Sequence, residues 1–223
     1  MSPPSLAGRA SRIAAVTLDL IGAFLGPPRC AACDSPVARL AVFCAPCAST
    51  VQPAEDAGDG AIAAFVYGGA IADAITRFKY SARPDLARPL ADLLWRAVAA
   101  RAGLLRSCAV VAVPLHPARL AERGFNQSAL LARPVSRRLG APFLPLALAR
   151  VRDTPRQASL GREDRLGNVH DAFVVRQPKR LRGRPVLLVD DVRTTGATLA
   201  ACTQAALEVG AGPVTTVVLA HAG

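Results

Sequence analysis

Apolar residues along this chain alternate between short continuous runs and stretches of helical spacing. Continuous apolar runs predict strands buried on both faces, and four of them stand out: AIAAFVY, CAVVAVPL, PVLLVDD and PVTTVVLA. Shorter strands are predicted near PFLPLALA and at DAFVV. Helical spacing covers residues 69–80, 85–103, 127–140 and 199–211. Strands that alternate with helices predict an α/β domain with a parallel sheet.

The beginning of the chain is organised differently. IAAVTLDLIGAFL is too short to span a bilayer and is interrupted by Asp19, so we interpret it as an amphipathic helix, and we expect a cytoplasmic protein. STVQPAEDAGDGA is polar and acidic and contains Pro and Gly, which is typical of a linker. We therefore predict two parts, residues 1–57 and residues 58–223.

The charge is concentrated in the larger part. Of the 223 residues, those from 61 onward contain 23 Lys and Arg against 11 Asp and Glu, and the whole chain carries a formal net charge of +11. One explanation is an Arg-rich composition that solvates the surface. The other is attraction of polyanions, either phosphorylated small molecules or nucleic acid such as single-stranded DNA. RQPKRLRGR, residues 176–184, fits either an exposed connector or a polyanion contact.

Two CxxC pairs precede the linker. Cys30 and Cys33 form the first pair, and Cys44 and Cys47 form the second, ten residues later. Each pair can present two thiolates to one ion, so together they predict a tetrahedral structural Zn²⁺ site. Paired disulfides and a redox-active CxxC are the alternatives. Disulfides are rare in cytosolic proteins, and a redox-active CxxC does not require a second CxxC pair.

VLLVDDVRTTGAT combines paired acids with a loop suited to phosphate. Asp190 and Asp191 end the apolar run, which places them at the carboxyl end of a strand, where ligands of parallel sheets bind. The following turn into a helix offers hydroxyl groups, a flexible glycine and free backbone N–H groups to a phosphate. Its residues are Thr194, Thr195, Gly196, Ala197 and Thr198.

A single ligand can satisfy both features if a neutral polyol separates its phosphate from the acids. A ribose 5-phosphate offers its phosphate to the loop and its 2- and 3-hydroxyls to the carboxylates. If C1 also carries diphosphate, Mg²⁺ fits the acidic corner, and the ligand is phosphoribosyl diphosphate. The alternative is structural: an acidic strand end that caps a helix, followed by an ordinary turn.

The same segment resembles the phosphoribosyl-diphosphate motif of type I phosphoribosyltransferases. The chain from about Pro27 to Ala220 resembles the ComF family, in which a four-cysteine zinc ribbon precedes a phosphoribosyltransferase domain and which is associated with DNA uptake in natural competence. FKYSARPDLARPLA, VPLHPARLAERGFNQSALLA and RVRDTPRQASLGREDRLGNVHDAF carry this resemblance further.

The resemblance implies a role for each candidate site residue. Asp190 and Asp191 would be the catalytic acids that hold the ribose hydroxyls, and residues 194–198 would hold the 5-phosphate. The diphosphate loop would contain Arg119, Arg123 and Gly124, and a loop that closes over the reacting centre would contain Gln157, Arg165 and Asn168.

The function implied is phosphoribosyl transfer with Mg²⁺, by loss of diphosphate from C1, to an acceptor that the sequence does not identify. Two other functions stay open: a nucleic-acid-binding accessory of DNA uptake, and a regulator that senses phosphoribosyl diphosphate without turning it over.

Overall fold

The structure is a computed structural model that describes residues 28–55, 61–152 and 172–222. Its main sheet has four strands, and a separate sheet has two antiparallel strands. The six strands are β1 (Ala61–Val66), β2 (Ala109–Ala112), β3 (Leu148–Arg150), β4 (Phe173–Val175), β5 (Val186–Arg193) and β6 (Val214–His221). The main sheet runs in the order β1-β6-β5-β2, and every neighbouring pair is parallel. The predicted parallel α/β fold is confirmed.

Helices connect these strands, as the apolar spacing predicted. They are α1 (Ala45–Ala48), α2 (Gly69–Tyr80), α3 (Ala87–Ala99), α4 (Ala102–Leu105), α5 (Pro117–Arg123), α6 (Gln127–Leu139), α7 (Pro178–Leu181) and α8 (Ala197–Glu208). The helix expected over residues 85–103 is divided into a 3-10 turn at Pro84–Leu86 followed by α3 and α4. None of the helices in the described part of the chain is long and apolar enough to cross a membrane.

Both faces of the main sheet are buried. Leu187 and Val189 of β5 pack with residues of α2, α3 and α6 on one face, whereas Val186 and Leu188 pack with α8 on the other. Successive side chains of a strand point to opposite faces, so a strand covered on both sides has to be apolar throughout. This explains why the central strands are continuous apolar runs in the sequence.

The strand expected near residues 142–149 is the main departure from the prediction. Phe143 makes a single parallel bridge to Val110, and the chain then leaves the main sheet to form β3, which pairs antiparallel with β4. Pro142 and Pro145 have no backbone N–H group and cannot donate to a neighbouring strand. A longer strand beside β2 is therefore not available to this segment.

The cysteine-containing segment packs directly on α2. A guanidinium nitrogen of Arg77 donates to the backbone oxygens of Cys30 and Ala31 at 3.3 Å, and the other forms an ion pair with Asp34 at 2.7 Å. At the start of α2, a Cβ on Gly69 would lie 2.6 Å from the hydroxyl oxygen of Thr50, and the φ of Gly69 is +46°. Glycine is therefore required at this contact.

The first residues of the predicted linker also lie against the domain. Val66 donates from its backbone nitrogen to the oxygen of Gln52, and Ala54 donates to the oxygen of Ala64. Residues 52–54 thus run antiparallel to β1. Residues 56–60, which include the predicted boundary, and the predicted helix at residues 13–25 lie outside the described residues.

Candidate functional site

Asp190 and Asp191 lie in the carboxyl half of β5, directly after Val189, the last residue of β5 that pairs with β2, whereas the pairing of β5 with β6 continues to Arg193. Both are buried, with 8% and 3% of their surface exposed. Oδ1 of Asp190 accepts hydrogen bonds from the Ser128 hydroxyl at 2.7 Å and from the backbone nitrogen of Asp191 at 2.9 Å. Buried carboxylates are costly unless they are paired, so their partners define the chemistry of the site.

Lys79 is the ion-pair partner of Asp191. Its Nζ lies 3.0 Å from Oδ1 of Asp191, whereas Oδ2 of Asp191 is buried and accepts no hydrogen bond within the described part of the chain. Burial alone would lower the pKa of Lys79, but the negative charges of Asp191 and Asp190 raise it above its usual value. Lys79 therefore stays protonated. One buried carboxylate oxygen of the site therefore has no hydrogen-bond donor among the described residues.

Burial and the neighbouring charge of Asp191 raise the pKa of Asp190 to about 7, although the Ser128 hydrogen bond and the Lys79 charge oppose the shift. In the unfolded chain an aspartate titrates near pH 4. Between these two values the folded protein holds a proton that the unfolded chain has lost, so raising the pH favours unfolding.

We expect the free energy of unfolding to fall as the pH rises from about 4 to about 7, and Asp190 to contribute no further change above that range. Urea midpoints at about pH 5 and about pH 8 measure this, because the two values bracket the folded-state pKa. Asp190→Asn has no titrating group and should lose this component. An equal pH dependence in wild type and variant would contradict the assignment.

Residues 194–196 form the turn between β5 and α8, and Ala197 and Thr198 are the first two residues of α8. Gly196 has a φ of +78°, the left-handed region that side chains rarely adopt, and it precedes the first residue of α8. Thr194 and Thr195 are exposed, and the Thr195 hydroxyl accepts from the backbone nitrogen of Ala197. Asp190 lines the same depression as this turn, together with Thr198. The predicted acids and the predicted phosphate loop are therefore adjacent in space.

Arg119 and Arg123 lie on α5, which follows the end of β2. They line a cavity of about 180 Å³ with Lys79, Tyr80 and Glu122. The Arg123 guanidinium lies over the Tyr80 ring, 5.2 Å from its centroid, which is a cation–π contact. Gly124 ends α5 with a φ of +79°. Three cations against one carboxylate make this cavity suitable for an anion.

Lys79 joins the two parts of the site, because it contacts Asp191 and also lines the cationic cavity. Sequence reasoning missed this residue and Ser128. It also proposed Gln157, Arg165 and Asn168, which lie outside the described residues. His116 lies at the start of α5, where its Nδ1 accepts from the backbone nitrogen of Ala118.

The four cysteines of the two CxxC pairs lie together. All four Sγ atoms are within 4.8 Å of one another, and those of Cys33 and Cys44 are 3.6 Å apart. A tetrahedral zinc site with Zn–S bonds of about 2.3 Å separates its sulfurs by about 3.8 Å. None of the six cysteines forms a disulfide bond in the structure.

The surroundings favour thiolate formation at Cys33. Hydrogen bonds from the Ser35 hydroxyl and backbone lower the pKa of Cys33 to about 6, with further lowering by Cys30 and Cys44. Thiolates are the form that binds metal. The donor set therefore fits a structural zinc ion.

The fold and site define a parallel-sheet α/β protein with a four-cysteine cluster that could hold a metal ion and a depression lined by Asp190 and the threonine turn at the carboxyl edge of its sheet. Competence protein F of Haemophilus influenzae is 36% identical over 176 residues, covering 77% of this chain and 75% of that protein. DNA utilization protein YhgH of Salmonella typhimurium is 33% identical over 188 residues, covering 83% and 80%. The chain belongs to the ComF family, as its motifs predicted.

Other comparisons extend over less of the chain. YhgH of Escherichia coli K12 is 38% identical to this chain over 151 residues. The aligned region spans 66% of this chain and 66% of that protein. A scan against protein-family models found no match.

Among solved structures, adenine phosphoribosyltransferase of Thermoanaerobacter pseudethanolicus is similar at 21% identity and a TM-score of 0.39, covering 61% of this chain and 68% of that one. A purine phosphoribosyltransferase of Pyrococcus horikoshii is similar at 21% identity and a TM-score of 0.33, covering 56% and 70%.

Proposed function

We propose that this protein binds phosphoribosyl diphosphate with Mg²⁺ at the carboxyl edge of its sheet and acts there as a phosphoribosyltransferase. The observation that carries the proposal is the buried pair Asp190 and Asp191 beside the threonine turn. A ligand that brings hydroxyl groups and a divalent cation to the pair, and a phosphate to the turn, satisfies both at once. The family membership supports a role linked to DNA uptake, in the cytoplasm.

Each group of residues has a distinct task in this proposal. Asp190 and Asp191 would accept hydrogen bonds from the ribose 2- and 3-hydroxyls, and Oδ2 of Asp191, which accepts no hydrogen bond within the described residues, would be a ligand for Mg²⁺. Residues 194–198 hold the 5-phosphate with hydroxyl groups and the N-terminal N–H groups of α8. Arg119, Arg123 and Lys79 surround the diphosphate. Mg²⁺ supplies charge neutralisation on the diphosphate oxygens.

In the proposed reaction, the main task of the protein is to stabilise the charge that develops as diphosphate leaves. The C1–O bond to diphosphate breaks, an oxocarbenium-like sugar forms, and the acceptor adds to C1. Guanidinium groups placed around the departing diphosphate stabilise the charge that develops on it. The cavity between α2 and α5 provides these groups, and Lys79 connects it to the acids that orient the sugar.

The segment at residues 28–55 completes the proposal as a zinc ribbon that packs on α2, within an N-terminal part of residues 1–57. Zn²⁺ bound by Cys30, Cys33, Cys44 and Cys47 would hold it together. The main domain would comprise residues 58–223. The few buried apolar residues around the cysteines support this role, since a segment with so small a core needs metal to fold.

Two single variants test which part of the ligand each region binds. Thr195→Val should weaken ribose 5-phosphate and phosphoribosyl diphosphate equally, because both carry the 5-phosphate. Arg123→Ala should weaken only phosphoribosyl diphosphate, by about tenfold or more, the loss expected for one charged hydrogen bond. Isothermal titration calorimetry with both ligands measures the difference.

Arg133→Ala is the matched control for Arg123→Ala, because Arg133 is an exposed arginine of α6 outside the cavity. If wild-type protein bound neither sugar phosphate with or without Mg²⁺, the proposed ligand would be wrong. Diphosphate release in the presence of a panel of bases and amines then separates a transferase from a protein that only senses phosphoribosyl diphosphate.

A second candidate function, nucleic-acid binding, is favoured by the 23 Lys and Arg against 11 acids after residue 60. The names of the relatives, which refer to DNA utilization and competence, are consistent with single-stranded DNA as a partner. Nucleic acid could be recognised at the phosphoribosyl site itself or at a different surface, and these possibilities predict different competition behaviour.

A further inference from the structure

The loop that enters β5 forms a basic surface at the amino edge of the sheet. Residues 176–184, RQPKRLRGR, contain five cations within nine residues. All five side chains are exposed, and none takes part in an ion pair with another residue of the described chain. We refer to these residues, with the exposed Arg106 before β2, as the basic edge. Its members are Arg106, Arg176, Lys179, Arg180, Arg182 and Arg184.

The basic edge is held in a defined shape. Leu181 lies in the middle of the tract, is fully buried and fixes the short helix α7 to the core. The backbone nitrogen of Gly183 donates to the oxygen of Gly210 at 2.7 Å, and that of Gly212 donates to the oxygen of Arg184 at 2.9 Å. Gly183 has a φ of +68°, which permits the tight turn between these contacts. The tract is therefore an anchored surface with its charges directed outward.

Few negative charges oppose these cations. The chain path brings Glu208, at the C-terminal end of α8, to the same edge, where it accepts a hydrogen bond from Gln204. Four other carboxylates are paired with cations of α2, α6 and the turn after α2: Asp34, Asp85, Asp92 and Asp191. The basic edge thus retains its charge for an external partner.

We propose that the basic edge binds the phosphate backbone of a nucleic-acid strand, at a surface separate from the sugar-phosphate site. Parallel strands place Asp190 and Asp191 at the carboxyl end of β5, whereas the tract precedes the amino end of that strand. A strand bound at the basic edge therefore leaves the acid pair accessible. Both ligands can be bound at the same time.

The chemistry of the surface favours a nucleic acid over other polyanions. The tract contains no aromatic residue, so it contacts phosphates without stacking on bases, and binding should not depend on sequence. An anionic membrane is the weaker match, because stable attachment usually adds an inserted apolar group to the charge. The apolar residue of the tract, Leu181, is buried in the core and is not available for insertion.

The test compares two triple variants with the same net charge. Lys179→Gln/Arg180→Gln/Arg182→Gln removes three cations from the basic edge. Arg39→Gln/Arg88→Gln/Arg133→Gln removes three exposed cations from other surfaces of the described chain. Fluorescence anisotropy with a labelled oligonucleotide of about 30 nucleotides, between about 50 and 300 mM salt, gives affinity and salt dependence.

We expect the basic-edge variant to bind about tenfold more weakly or worse, with a log–log salt slope shallower by about 2, since each single-strand phosphate contact contributes about 0.7. The control variant should stay close to wild type. Glu208→Gln, which removes the carboxylate at this edge, should bind more tightly. Phosphoribosyl diphosphate in excess should not displace the oligonucleotide, whether or not it is turned over.

Three results would overturn the proposal. Equal losses in the two triple variants would mean that net charge alone drives binding. Displacement of the oligonucleotide by phosphoribosyl diphosphate would place the strand at the acid pair. Tighter binding to phosphatidylserine vesicles than to the oligonucleotide, lost in the basic-edge variant, would identify a membrane as the partner. Thermal melting followed by circular dichroism verifies that each variant is folded.

Discussion

Replacing both acids by asparagine should abolish the Mg²⁺ dependence of phosphoribosyl diphosphate binding. Asp190→Asn/Asp191→Asn keeps the size of both side chains but removes the negative charge of the pair, and it is measured at about pH 8, above the pKa of about 7 of Asp190. Each lost charged hydrogen bond should cost about 1.5–3 kcal/mol, so affinity should fall by roughly two orders of magnitude or more. Titration calorimetry with and without Mg²⁺ measures the change.

The structure provides a control for this variant. Lys79→Met removes the cation that contacts Asp191 but leaves both carboxylates, so Mg²⁺ should still be required for binding. The two variants therefore separate loss of the cation-binding groups from a general disturbance of the buried charges. If the double variant retained the Mg²⁺ dependence of the wild type, the acids would not be the groups that face the ion.

Turnover and nucleic-acid binding distinguish the alternative functions in the same variants. In a transferase, the double variant should lose both phosphoribosyl diphosphate binding and diphosphate release. A sensor should lose only the binding, because the wild-type protein does not release diphosphate. A protein that recognises phosphoribosyl groups of DNA through the acid pair should lose oligonucleotide binding as well. Our proposal of a separate basic edge predicts that oligonucleotide binding survives in the double asparagine variant.

The acids and the threonine turn could be predicted from sequence because they are contiguous. An apolar strand followed by two acids, and then by a glycine at the start of a helix, predicts the carboxyl edge of a sheet with a turn next to it that is suited to phosphate. The cysteine cluster was predictable for the same reason, since the spacing within each CxxC fixes two ligands locally. In both cases the geometry follows from residues that are neighbours in the chain.

Lys79 and Ser128 come from distant segments, and no local pattern places them beside Asp191 and Asp190. A weaker signal exists. Ile71, Ile75 and Phe78 form the buried face of α2, and Lys79 continues the same helical spacing, so a cation occupies a position expected to be apolar. Ser128 interrupts the apolar face of α6 in the same way, three residues before Leu131. Polar residues on an apolar face indicate a buried polar partner, but they do not identify it.

The contact between the cysteine segment and α2 also could not be predicted from the sequence. The polar composition of residues 49–61 indicated a linker, whereas Gln52 and Ala54 pair with β1 and Thr50 packs against Gly69. Arg77 and Lys79 lie two residues apart on α2, and one contacts the cysteine segment while the other contacts Asp191. The arrangement places the cysteine segment one helix away from the acid pair.

Removal of one cysteine ligand should cause the loss of zinc and the unfolding of the cysteine segment. Cys44→Ser should abolish binding of one Zn²⁺ per chain, because a serine hydroxyl is a poor replacement for a thiolate in a four-sulfur site. Structural zinc contributes on the order of 10 kcal/mol to the folding of such segments. The cysteine segment has few buried apolar residues of its own, so its contacts with α2 and β1 should not be enough to keep residues 28–50 folded without the metal.

Hydrogen exchange should locate this loss. Amides of residues 28–50 should exchange faster in Cys44→Ser, and the beginning of α2 should follow, since Ala70 donates from its backbone nitrogen to the Thr50 hydroxyl oxygen. Strands β2, β5 and β6 should stay protected, because the core between these strands and α8 contains no residue of the cysteine segment. Cys108→Ala is the control: Cys108 is buried near β2, outside the cysteine cluster, and its removal should leave the zinc content at one ion per chain.

Freshly isolated, reduced wild-type protein that contained no zinc would contradict the prediction, as would a Cys44→Ser variant whose residues 28–50 remained protected without metal.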